Sequence, residues 1–136
     1  MLGPNKYHMR KLILVVALVT SGCASVQSWI PSFWDDNQSA KIVDVRLGVD
    51  RLDCSQPQLA QISVIRDDLR WFELYSASKG AMQKDVLRLI APMQATVEDM
   101  YTRNTGGSAS KTYCELKKQV MTQQAERIAS AVLGRW

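Results

Sequence analysis

Apolar residues recur at alternating spacings of three and four in four separate stretches of this chain, and that period constrains the fold more than any other feature. Only one face of an α-helix collects residues at such spacing, so each stretch reads as an amphipathic helix with one side to bury. The first carries Ile42, Val45, Val49 and Leu52 and is predicted near 39–54, with Ser39 as its cap. Val43, Val45, Leu47 and Val49 also alternate at period two, which is a strand signal, but Asp44, Arg46, Asp50, Arg51 and Asp53 fit the solvated side of a helix. The second, near 58–78, follows the turn Ser55-Gln56-Pro57, with proline expected at the first helical position. It carries Leu59, Ile62, Ile65, Leu69 and Phe72 and ends at Ser78-Lys79-Gly80.

Met82, Val86, Leu89 or Ile90, Met93, Val97 and Met100 mark a third helix, predicted to kink between Leu89 and Pro92 and to run out by Arg103. Asn104-Thr105-Gly106-Gly107-Ser108 is a loop, after which Ser110 caps a fourth helix. Its expected face is Tyr113, Leu116 or Lys117, Val120, Gln124, Ile128, Ala131 and Val132. Short connections force neighbouring helices antiparallel. The fold class expected is therefore all-α, a small antiparallel bundle of three or four helices, the fourth-helix alternative depending on whether the short first helix joins the core.

The cysteines agree with that topology. In an up-and-down bundle the end of helix 1 and the start of helix 4 share a pole, and Cys54 and Cys114 fall there. A disulfide between them is expected, with two free buried thiols as the alternative; two isolated cysteines without histidine cannot close a zinc shell, so no metal site is expected.

The third cysteine has a different setting. Lys6, Arg10 and Lys11 precede the apolar run Leu12-Ile13-Leu14-Val15-Val16-Ala17-Leu18-Val19, and Thr20-Ser21-Gly22-Cys23 follows it. Basic start, short apolar run, small residues and cysteine, in that order, resemble the type II signal peptide of bacterial lipoproteins. Thr20 stands where leucine is usual in that family. Met9 would serve as a start as well as Met1. The resemblance implies cleavage before Cys23, diacylglycerol and fatty acyl groups on its sulfur and amine, and attachment to a lipid bilayer. Ala24, rather than aspartate, implies the outer membrane of a Gram-negative cell, at its periplasmic face; in a Gram-positive host it implies the cell membrane. The expected organisation is a signal peptide over 1–22, the lipidated cysteine and a tether over 23–38, and a helical domain over 39–136. Trp29, Ile30, Phe33 and Trp34 in the tether would lie either at the membrane interface or against the helices.

Cleavage would remove three of the 17 basic side chains and none of the 13 acidic ones, leaving 14 against 13, and would take away His8, the sole histidine. A near-neutral domain gives no support for nucleic-acid binding. Without histidine there is no Ser-His or Cys-His pair, so no catalytic residue is assigned and no cofactor beyond the acyl groups is expected. Asp67-Asp68 and Glu98-Asp99 read as solvated helix faces. Met82, Met93 and Met100 read as core filling, with an adaptable binding stripe as the alternative.

Trp71, Phe72 and Tyr75 follow Arg70 too closely to face inward together, so Arg70, Trp71, Phe72 and Tyr75 are the expected partner-contact patch. The function expected is a non-catalytic interaction or accessory subunit of the cell envelope, its partner another envelope protein. A phage-encoded envelope factor for lysis or superinfection exclusion is the alternative. Outer-membrane spanin subunits tend to be short and proline-rich, and three prolines after Cys23 with strong helical periodicity set this chain apart from them.

Overall fold

The computed structural model describes residues 35–107 and 109–134. Cys23, the expected signal peptide, Trp29, Ile30, Phe33 and Trp34 lie outside the described residues. Four α-helices fill the described chain: α1 (Asp36–Arg51), α2 (Gln58–Ser78), α3 (Lys84–Thr105) and α4 (Lys111–Leu133), with a 3₁₀ turn, Ala81–Gln83, before α3. Helix α1 packs on α2 and α4, and α3 packs on the same two, so the helices form a four-membered ring running alternately up and down. Helix α1 is a full member, since Ile42, Val45, Val49 and the following Leu52 are buried in the common core.

Helix α1 starts three residues earlier than predicted. Its cap is Asp35, whose carboxylate accepts from the backbone N–H of Asn37 and Gln38, both at 3.0 Å. Ser39 instead lies inside the first turn and donates its hydroxyl to the Asp35 carbonyl at 2.8 Å. The strand alternative fails because the buried residues follow the helical period, and packing of one face outweighs the modest preference of β-branched residues for strands.

Helix α2 spans the predicted residues, but Pro57 stands just before its first helical position. Its end is set by Gly80, whose φ of 86° is a backbone that side chains disfavour. Helix α3 continues unbroken through Pro92 to Thr105. Proline lacks the N–H that would meet the Arg88 carbonyl; both residues are on the exposed side of the helix. Met82 sits half-buried in the 3₁₀ turn rather than on α3, whereas Met93 and Met100 are fully buried, which makes them core and not a binding stripe.

Ser110 does cap α4, accepting from the Tyr113 N–H at 3.1 Å. The buried face of α4, however, is Cys114, Met121, Ala125, Ile128, Ala129 and Val132. Leu116 and Val120, expected inside, are exposed. Two apolar stripes compete on this helix, and the inner one is built from the smaller alanines plus Met121, so hydrophobicity alone points to the wrong register in its first half.

Cys54 and Cys114 form a disulfide with Cα atoms 5.7 Å apart, across a separation of 60 residues. Beside it, Lys118 Nζ donates to the carbonyls of Asp50 at 2.7 Å and Leu52 at 2.9 Å. An ammonium from α4 thus satisfies carbonyls that the end of α1 leaves without helical donors. Replacing both cysteines by alanine is expected to lower unfolding free energy by on the order of 4 kcal/mol in the chain-entropy model. Urea titration of variant and parent checks this, and a difference below about 1 kcal/mol would mean that the disulfide constrains little.

Candidate functional site: the aromatic platform on the α1/α2 face

At 100° per residue the expected patch on α2 cannot stay together, and the structure divides it three ways. Phe72 is fully buried and is a core residue, so it is not available to a partner. Arg70 turns toward the α3 side, pairing with Glu73 at 2.7 Å in a groove shared with Arg66 and Glu98. Trp71 and Tyr75, one turn apart, share the α1 side and stack with centroids 4.8 Å apart and planes at 9°. Trp71 remains 42% exposed, and Leu74 beside it 54%.

The platform is held from both ends. Lys41 Nζ stands 5.4 Å from the Trp71 ring and Lys79 Nζ 4.9 Å from the Tyr75 ring, within cation–π range. Lys41 also bridges Asp44 at 3.1 Å and Asp68 at 2.9 Å. The Tyr75 hydroxyl donates to both carboxylate oxygens of Asp35, at 3.2 and 3.1 Å, and accepts from Asn37 Nδ2 at 2.9 Å. Lys79 closes the ring by pairing with Asp35 at 3.0 Å. One carboxylate therefore caps α1 and fixes the aromatic stack of α2.

Below the platform lies a buried polar cluster. Gln38 Nε2 donates to Ser76 Oγ and to Gln83 Oε1, each at 2.9 Å, joining α1, α2 and the 3₁₀ turn. All three residues are buried. Each hydrogen bond adds little net stability, yet removing one partner strands the others away from water. Neither Gln38 nor Gln83 is signalled by hydrophobic period; a glutamine at an inward helical position is the only trace they leave.

The acidic pairs are engaged with helix neighbours. Glu98 takes a bidentate contact from Arg66 at 2.7 and 3.0 Å. Asp99 accepts from the Tyr113 hydroxyl at 2.6 Å and pairs with Lys117 at 2.8 Å. Burial, then the Asp99 carboxylate, pushes the Tyr113 hydroxyl up to about 12, while Lys117 and Tyr113 hold Asp99 below its usual range. Among the described residues no group of three or more acidic, cysteine or histidine side chains is placed to hold a metal, and no helix is long and apolar enough to cross a membrane. Comparison with protein-family models, curated proteins and solved structures finds no match to the chain.

Partial burial by itself would raise the Asp35 carboxyl, but the Gln38 N–H, Lys79 and the Tyr75 hydroxyl together outweigh it and lower its pKa. A carboxylate lowered on folding contributes stability that is present above its unfolded value, about 3.9, and lost as pH falls through the lower folded value. Stability should therefore be level near neutrality and drop below about pH 4. Asp35→Asn should flatten part of that acid slope in urea titrations at successive pH values, and an unchanged slope would remove Asp35 as its source. Gln38→Ala, which strands Gln83 Oε1, should lower stability by about 1–3 kcal/mol at any pH.

Proposed function

We propose that this chain is a lipid-anchored, non-catalytic interaction module of the cell envelope, held through acylated Cys23 at the periplasmic face of the outer membrane and docking an envelope protein on the Trp71 platform. The order of basic residues, apolar run, small residues and Cys23 supports the anchor. The bonded pair Cys54 and Cys114 fits an oxidising compartment.

The observation that carries the docking role is the stacked, partly exposed Trp71. Tryptophan and tyrosine dominate binding hot spots, and a ring already immobilised by its neighbours loses little further freedom on binding. Trp71 and Leu74 together place apolar surface at the same pole as Asp35. The tether would arrive there, since only twelve positions separate Cys23 from Asp35. Twelve residues reach at most about 40 Å when extended, so the platform works close to the membrane and suits a partner seated there.

Cys23→Ser is expected to abolish labelling by radioactive palmitate and release the protein from the membrane fraction; retained label would remove the anchor. Trp71→Ala should reduce crosslinked co-purification of a partner from detergent-solubilised envelopes by tenfold or more, the range of a hot-spot truncation of about 1.4 kcal/mol and above. Leu116→Ala, exposed on α4, should leave it unchanged. Equal recovery with Trp71→Ala would place docking elsewhere.

A further inference from the structure

Toward the disulfide pole from Trp71, the groove between α1 and α2 is lined by Asp44, Leu47, Gly48 and Arg51 on one side and Gln61, Val64 and Asp68 on the other. Leu47 is 40% exposed and Val64 58%. Between them Gly48 lets the two helices approach closely, because a Cβ there would stand 3.1 Å from Ile65 Cγ1. The result is a shallow seat over Gly48 flanked by two aliphatic side chains that the core does not use.

The charges along this groove are sorted by end. Asp44 and Asp68 share Lys41 at one end, leaving one net negative charge. Arg51, exposed at the other end, has no ion-pair partner among the described residues, and Gln61 lies beside it. The two helices run antiparallel, with Gly48 level with Ile65. Asp44 and Arg51 are thus equally distant in sequence from the midpoint of Leu47 and Gly48, and Gln61 and Asp68 from the midpoint of Val64 and Ile65. Both midpoints lie at one level of the bundle.

A two-fold axis at that level, perpendicular to the helices, sets Asp44 of each copy against Arg51 of the other and Asp68 against Gln61. It also gathers Leu47 and Val64 of both copies around the axis, with each Leu47 facing the seat over a Gly48. We propose that this groove is the isologous contact of a homodimer, in which the α1/α2 faces of two copies pack antiparallel. A parallel pairing, with the axis along the helices, would set Asp44 of each copy against Asp68 of the other, which like-charge repulsion disfavours. Leu47 and Val64 supply the large apolar side chains of the contact, too little for a stable dimer in dilute solution, so it is transient there. Confinement of both copies to one bilayer would raise their effective concentration; that clause alone rests on the Cys23 anchor.

The test uses the full chain in detergent micelles. Leu47→Cys, close to the axis, should give a disulfide-linked dimer under mild oxidation, well above both the unsubstituted protein and Leu116→Cys on α4. Adding Arg51→Asp should lower the yield about tenfold or more, and combining it with Asp44→Arg, which restores opposite charges across the axis, should recover it to within about threefold. Circular dichroism confirms that each variant stays helical. Crosslinking at Leu47→Cys no higher than at Leu116→Cys would overturn the proposal, as would a charge exchange that fails to recover the yield. Trp71→Ala should leave the yield unchanged, which separates this contact from partner docking, and Cys23→Ser at raised protein concentration should keep the excess of Leu47→Cys over Leu116→Cys, which separates it from anchoring.

Discussion

A ring of four helices connected in sequence has one seam without a covalent connection, between the first helix and the last. Here the Cys54–Cys114 disulfide closes that seam, and Lys118 reinforces it by filling the open carbonyls at the end of α1. This matters most for α1, which is the shortest of the four helices, at 16 residues, and rich in β-branched side chains. Such a segment has little helical stability of its own. Docked against α2 through its loop and against α4 through the disulfide, it has both walls of its groove supplied, and its helical state follows from packing.

The opposite pole solves the same problem without a covalent bond. Asp35 caps α1 and also receives Tyr75 and Lys79 from the end of α2, so the start of one helix and the end of the next are fixed by one carboxylate. Gln38, Ser76 and Gln83 repeat the connection one layer deeper. The aromatic platform is a consequence of these connections. Trp71 stacks on Tyr75 because Tyr75 is held by its hydroxyl, and with Lys41 of α1 over its ring it still keeps 42% of its surface exposed.

The bundle topology, the span of α2 and the cysteine pair were legible from the sequence, since each depends on spacing along one chain. Other features depend on neighbours distant in sequence. On sequence alone Ser39 is as good a capping residue as Asp35, and the partners that favour Asp35, Tyr75 and Lys79, come from forty residues away. The register of α4 is one of them, because two apolar stripes are present and only its neighbours determine which is buried. Phe72 adjoins the surface aromatics in sequence, although Leu69 and Ile65 at helical spacing mark it as inward. The polar cluster around Gln38 had almost no local signal, because its logic is the pairing of side chains from three elements.

The α1/α2 face carries exposed aliphatic residues that need a reason only because of how they are arranged. Single apolar residues on a surface are ordinary. Leu47 and Val64, however, flank a close helix approach made by a glycine, and the charges at the two ends of their groove are opposite in sign. A glycine needed only for packing α1 on α2 would not require aliphatic neighbours on its outer side, nor an arginine beside them without an ion partner among the described residues. A surface built for two-fold pairing requires all of these at once, since every feature must meet its own counterpart in reverse order. The platform at Trp71 has no such reversal: its cations and carboxylates are already consumed in holding the stack. On the proposed reading, one helix face offers a self-complementary half and a half for a different partner, with the Lys41 bridge to Asp44 and Asp68 dividing them.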